Sequence, residues 1–222
     1  MTLTLAIDTS ADVCSAAFLD EYVVLATKSK NLIHGHGVAL IPMIRNLAEM
    51  ADVSLSKIGL IGVSIGPGSF TGIRTGIAAA QGFSLVNQCP VVGISSLAMV
   101  AADAIRKRPP VFNTCPVLCV LETRRQDFFA EVFDHKGRSI AQPRVADKNQ
   151  VILLLKNYRA TLAGNAIQRL NLKGAEGSFA TESWPEAGII GELAIQKFSK
   201  STCNLEQLVP LYLRKESVTR SR

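Results

Sequence analysis

The sequence predicts an α/β fold built from two copies of one unit, a β-meander followed by a helix, with the second copy degenerate. The first observation behind this is an echo. Leu5-Ala6-Ile7-Asp8-Thr9 recurs as Cys119-Val120-Leu121-Glu122-Thr123, and in both places an apolar run ends in an acid-Thr pair, crosses a polar turn and returns on an apolar strand. The spacing from Asp8 to Asp20 and from Glu122 to Asp134 is the same, twelve residues. The second observation is that strand-like runs alternate with stretches of helical period. The third is charge. Residues 1–100 carry five Lys/Arg and six Asp/Glu, whereas residues 101–222 carry nineteen and twelve, so the balance moves from −1 to +7. The change falls at Arg106-Lys107-Arg108-Pro109-Pro110, a basic, helix-breaking stretch, which places a boundary between units 1–108 and 109–222.

The elements follow in order. Residues 2–8 read as a strand, 13–19 as its return and 22–28 as a third, with turns at 9–12 and 20–21. A loop, 31–37, holds His34 and His36. The helix expected over 38–51 has a main apolar stripe of Leu40, Ile44, Leu47 and Ala51. Ile41 and Ala48 widen it on one side, Met43 and Met50 on the other. The apolar arc then covers about half the circumference, more than a helix lying on one sheet needs. A buried strand over 58–65 comes next, and Gly66-Pro67-Gly68 breaks it. Ser69 caps a helix over 69–86 in which Gly68, Gly72, Gly76 and Ala80 recur every fourth residue, forming a ridge without side chains.

Each interior glycine costs about 1 kcal/mol against alanine, so the ridge calls for some close approach. It fits an anion cradled at the helix start, the chain's own sheet packed against it, or a partner's helix. No Lys follows the glycines, so this is not a P-loop. Val91 to Ile94 form a short strand, and Ser95 caps a helix to about Ile105. In the second half, Val151–Leu155 read as a helix core, Ala160–Ala163 as a strand and Glu186–Ser199 as a helix. The chain leaves through Pro210-Leu211-Tyr212-Leu213-Arg214 into a basic tail, with Arg214, Lys215, Arg220 and Arg222 as candidate phosphate contacts.

The composition narrows the function classes. No apolar run reaches the eighteen or so residues of a membrane span. The first residues lack the basic start of a signal peptide, and five scattered cysteines read as free thiols, so a reducing cytoplasm is expected. His34 and His36 lie two apart with no third ligand type nearby, and no metal site is expected. A carboxylate closing a first strand beside a hairpin turn can hold a metal–nucleotide phosphate, and two such hairpins face a shared cleft in the actin, Hsp70 and sugar-kinase architecture. Asp8, Thr9 and Ser10 are the candidate remnant of one phosphate loop, with Glu122 to Arg125 opposite. Neither turn has the glycine that lets backbone approach phosphate, so the architecture is expected and the nucleotide equipment is incomplete.

Ala6-Ile7-Asp8-Thr9-Ser10, then Gly66-Pro67-Gly68-Ser69-Phe70-Thr71-Gly72-Ile73-Arg74, then Pro210-Leu211-Tyr212-Leu213-Arg214 resemble, in order and spacing over the whole chain, the TsaB family, also called YeaZ. The resemblance implies the duplicated actin/Hsp70/sugar-kinase-like (ASKHA) fold. It also implies an accessory, non-catalytic place in the bacterial machinery that makes threonylcarbamoyladenosine at position 37 of tRNAs reading codons that begin with A. The implied partners are TsaD, which carries the metal and the catalytic cleft, the ATPase TsaE, and tRNA held by the assembled complex. TsaC supplies the threonylcarbamoyl-adenylate. ATP and magnesium are used by the partners and no cofactor is required by this chain. The resemblance implies a homodimer of the isolated chain through the same two helices that meet TsaD. That agrees with the over-apolar first helix, and makes Leu40, Met43, Ile44, Leu47, Met50, Gly72, Ile73, Gly76, Ala79 and Ala80 the expected interface. The metal-binding His-x-x-x-His pair of TsaD is absent here, and the Glu122–Arg125 turn departs from the family's usual Asp-Ala-Arg. An ATP-dependent phosphotransferase of the sugar-kinase type is the alternative function.

Overall fold

A computed structural model describes residues 2–172, 180–181, 184–200 and 208–214. Two five-stranded sheets have the same strand order. The first runs β3 (Val23–Asn31), β2 (Val13–Asp20), β1 (Leu3–Asp8), β4 (Ile58–Gly66), β5 (Val91–Ser95). The second runs β8 (Ser139–Ala146), β7 (Phe128–Phe133), β6 (Val117–Glu122), β9 (Thr161–Ala163), β10 (Ala180–Thr181). In each, the first three strands form an antiparallel meander and the rest join in parallel.

Both sheets are covered on both faces, which explains why their central strands are apolar without alternation. On one face of the first sheet, Leu5, Ile7, Phe18, Ile61 and Val63 meet α1 (His36–Met50) and α2 (Phe70–Asn87). On the other, Ala6, Ala17, Leu19 and Leu60 meet α6 (Gly188–Lys200). In the second sheet, Leu118, Val120, Phe128 and Val132 pack on α4 (Lys148–Tyr158), while Val117, Cys119, Leu121 and Phe133 pack on α3 (Ser96–Lys107). Thus α3, from the first half, covers the second sheet, and α6, from the second half, covers the first.

The second copy is less degenerate than expected. Its meander has a third strand, β8, which Pro143 and a run of small and polar residues conceal in the sequence. An edge strand tolerates proline because one side of its backbone needs no ladder partner. Degeneration begins only after β9, where the four residues of α5 (Ile167–Leu170) stand in place of the eighteen of α2. Helix α1 starts earlier than expected, at His36, because Gly35 takes a left-handed φ of 86° and turns the chain into the helix. His36 leaves the expected loop, is buried, and its Nε2 sits 3.0 Å from the Ala11 carbonyl, which ties the helix start to the first hairpin.

Candidate functional site

Strands β1 and β6 both end at a cleft of about 870 Å³ between the two sheets. Its walls come from the β1–β2 turn, the starts of α1 and α2, the β6–β7 turn, Trp184 and Arg214.

The first part of the β1–β2 turn is covered by the chain itself, while Ala11 and Asp12 reach the cleft. Asp8, Thr9 and Ser10, the expected remnant of a phosphate loop, are 0%, 0% and 1% exposed. Asp8 Oδ1 accepts from the Ser10 amide at 2.9 Å, the Ser10 hydroxyl at 2.7 Å and the Ser64 hydroxyl at 2.5 Å. Asp8 Oδ2 accepts from Trp184 Nε1 at 2.7 Å. Asp8 thus takes four donors of its own chain, three on Oδ1 and one on Oδ2. Ser96 donates to Ser10 Oγ at 2.9 Å and extends this network to α3.

The glycine ridge of α2 presses on the same turn. A Cβ on Gly68 would overlap the Ser10 carbonyl, one on Gly72 the Thr9 carbonyl, and one on Gly76 the Thr9 hydroxyl. Two hydrogen bonds seal the contact, Ser69 N to Ser10 O at 2.7 Å and Thr9 Oγ1 to Gly72 O at 2.7 Å. Of the three readings of the ridge, close packing within the chain is the one the structure has. Gly82 differs, since a Cβ there would meet nothing within 4 Å.

Most of the expected interface is therefore internal. Leu40, Ile44, Leu47, Ile73 and Ala80 are at most 1% exposed, and Gly72, Gly76 and Met43 are also buried. They serve the core because the wide apolar arc of α1 is shared between β2, β3 and α2. Only Met50, 65% exposed, and the half-buried Ala79 reach the surface. The apolar surface that remains on the two helices is Val38, Ile41 and Met50 on α1, with Phe70, Leu85 and Val86 on α2.

The second turn is exposed and braced from outside. Thr123 Oγ1 donates to Asp127 Oδ1 at 2.6 Å, and Arg169 donates to the Thr123 and Asp127 carbonyls at 2.9 and 2.6 Å. Arg214 pairs with the Asp127 carboxylate. Burial pushes the Asp127 carboxyl up, but the bonds from Thr123 and Arg214 outweigh it and hold the group below its ordinary value. Behind the turn, burial raises the Glu131 carboxyl, with Ser139 opposing, and raises the Cys119 thiol beside it. Among the described residues no group of three His, Cys, Asp or Glu could hold a metal. No helix among them is long and apolar enough to cross a membrane.

Residues 208–214 form a strap across the cleft edge. Leu211 N donates to Ile65 O at 2.7 Å, Tyr212 stacks on Phe70 at 5.2 Å, and Arg74 Nε donates to the Tyr212 hydroxyl at 2.9 Å. The motif is visible in the sequence, but the partners of Leu211 and Tyr212 lie more than a hundred residues away. Arg214 is engaged by Asp127, so it is corrected from a free phosphate contact to an internal tie; Lys215, Arg220 and Arg222 lie outside the described residues. Sequence reasoning missed Trp184. The available signal was that a lone tryptophan, once half-buried, needs an acceptor for its N–H.

Known proteins match this chain closely. The family model for TsaD, tRNA N6-adenosine threonylcarbamoyltransferase, matches residues 25–217. The tRNA threonylcarbamoyladenosine biosynthesis protein TsaB of Buchnera aphidicola from Schizaphis graminum is 40% identical over 105 residues, where 47% of this chain spans 50% of that one. The TsaB protein of Escherichia coli K12 is 26% identical over 95% of this chain and 94% of its own length. The solved structure of YeaZ from Pseudomonas aeruginosa has a TM-score of 0.81 and 27% identity, over 96% of this chain and all of that one. Component A of the Acidaminococcus fermentans (R)-2-hydroxyglutaryl-CoA dehydratase is similar in fold alone, at a TM-score of 0.58 and 12% identity, over 90% of this chain and all of that one. The fold is the duplicated actin-like one.

Proposed function

The chain belongs to the TsaD threonylcarbamoyltransferase family, within its TsaB/YeaZ group, and from that premise we propose that it serves tRNA threonylcarbamoyladenosine biosynthesis as an accessory, non-catalytic subunit. One observation carries the reading. The carboxylate and backbone groups that would meet a metal–nucleotide at the first turn are engaged by Ser10, Ser64, Trp184 and the glycines of α2. Catalysis then lies with a TsaD partner, which modifies position 37 of tRNAs reading codons that begin with A. TsaE and the partners use ATP and magnesium, and the complex works in the cytoplasm.

The partner surface is the exposed face of α1 and α2, around Val38, Ile41, Met50, Ala79 and Leu85. The same face joins two copies of the chain when no TsaD is present. Met50→Glu or Leu85→Glu would strand a charge only in the complex and leave the fold intact. Met43→Glu does not serve, because Met43 is core and the chain would unfold. Light scattering reads the homodimer and a pull-down reads TsaD. If Met50→Glu and Leu85→Glu both dimerise and capture TsaD like the parent, the partner surface is elsewhere. Purified chain given tRNA, threonine, bicarbonate and ATP should make no modified base without TsaC and TsaD. Strong saturable thermal stabilisation by Mg-ATP would instead favour the phosphotransferase.

A further inference from the structure

We propose that the second sheet and its helix carry an RNA-backbone docking surface, formed by Arg124 and Arg125 on the β6–β7 turn, Arg144 near the end of β8, and Lys148, Lys156 and Arg159 along α4. The inference rests on the tRNA role proposed above and adds where on this chain the RNA would land.

Strand register brings these residues together. Glu122 pairs with Phe128, and Phe128 pairs with Ala146. The β6–β7 turn, the end of β8 and the start of α4 therefore share one end of the sheet. Helix α4 then runs away from that end. Lys148 and Lys156 lie eight residues apart, about 12 Å along the axis and within a quarter-turn of one another. Arg159 follows at the C-cap. The neighbouring side of α4, with Val151, Leu154, Leu155 and Tyr158, is packed into the core. The cations thus lie along one flank of a helix whose neighbouring side is fixed.

This charge is not neutralised locally. Residues 109–172 hold nine Lys/Arg and five Asp/Glu, a balance of +4. Each of the five acids has another role. Glu122 faces Arg169 at 3.9 Å, Asp127 pairs with Arg214, and Asp147 caps α4 by accepting from the Gln150 amide at 2.9 Å. Glu131 is buried, and Asp134 accepts from the Lys136 and Arg138 amides in its own turn. Helix α4 itself contains no acid. All six cations are exposed, and none has a carboxylate partner among the described residues. They are spaced along a surface and do not converge, which suits a polymer of phosphates better than one small anion. The outward side of α4 has one exposed large apolar residue, Leu153, too little to anchor in a lipid surface.

The test uses the purified full chain and fluorescently labelled tRNA, with anisotropy titrations between about 50 and about 200 mM salt. The triple variant Lys148→Gln/Lys156→Gln/Arg159→Gln is compared with a charge-matched triple on the first unit, Lys30→Gln/Arg45→Gln/Lys57→Gln. The α4 variant should lose about tenfold in affinity at the lowest salt and flatten the log–log salt slope by about 2 to 3. The first-unit variant should stay within about twofold of the parent. Circular dichroism checks that both fold. Equal losses in the two variants would overturn the proposal, since any charge would then serve. So would a parent without salt-dependent tRNA binding, or an α4 variant that keeps tRNA and loses phosphatidylglycerol vesicles. Capture of TsaD is read on the same proteins. If the parent captures none, the accessory role fails, while the anisotropy comparison still decides this surface.

Discussion

The turn after β1 and the turn after β6 begin from the same acid-Thr pair and reach opposite states. Asp8-Thr9 is buried under the glycines of α2, with its carboxylate accepting from four donors of the chain itself. Glu122-Thr123 stands at the surface, braced from outside by Arg169 and, through Asp127, by Arg214. What differs is the element that follows the fourth strand of each unit. In the first it is an eighteen-residue helix with no side chains on the facing ridge; in the second it is one turn of helix. The chemistry of a turn is decided by what packs on it as much as by its own residues.

The largest expected effect breaks the first turn. Gly72→Ala drives a Cβ into the Thr9 carbonyl, which is backbone and cannot swing away, so a loss of at least about 4 kcal/mol in chemical denaturation is expected. A near-parental midpoint would mean that α2 can slide off the turn. Next, Asp8→Ala leaves the Ser10, Ser64 and Trp184 donors without their buried acceptor and should cost about 3 kcal/mol. Asp127→Ala, at the partly exposed second turn, should cost only about 1 kcal/mol. Because the folded pKa of Asp127 lies below its ordinary 3.8, that difference is present above about pH 4 and fades as pH falls through the depressed value. Similar losses for the two aspartate variants would erase the contrast between the turns.

Gly82→Ala tests the side of α2 that faces away from the ridge. With nothing near the added methyl, it should stabilise the isolated chain by about 1 kcal/mol, the ordinary helical preference. The smallest effect is at Glu131, where burial raises the carboxyl above its ordinary 4.5. Ionising it costs stability as pH rises through the raised value, so Glu131→Gln should melt higher than the parent at pH 7. The gain should vanish below about pH 4.5, where the parent is protonated in both states. A gain unchanged with pH would assign it to something other than the charge.

The fold was readable because its signals are local. The acid-Thr echo, the capped helices and the glycine break at Gly66 all act within a few residues of themselves. Strand β8 was hidden because an edge position, unlike a central one, permits Pro143. The site was less readable because its contacts are distant. Gly72 meets Thr9 across sixty-three positions, and Trp184 meets Asp8 across one hundred and seventy-six. A side-chain-free ridge tells that some backbone approaches, yet not whose. The same ambiguity moved Leu40, Ile44, Leu47, Ile73 and Ala80 from an expected interface to the core, since apolar excess on a helix looks alike whether a sheet or a stranger covers it.

The placement of α6 has a consequence for synthesis. Strands β1, β2 and β4 are complete by residue 66, but the face formed by Ala6, Ala17, Leu19 and Leu60 has only Met99 and Ala102 of α3 beside it until residues 188–200 exist. On the ribosome that face waits for almost the whole chain, exposed to water and to any chaperone that recognises apolar strands. The nascent first unit can collapse on α1 and α2, yet it cannot finish as an independent folding step. A stall or truncation before residue 188 would therefore release a half-covered sheet, which makes degradation or aggregation its expected fate.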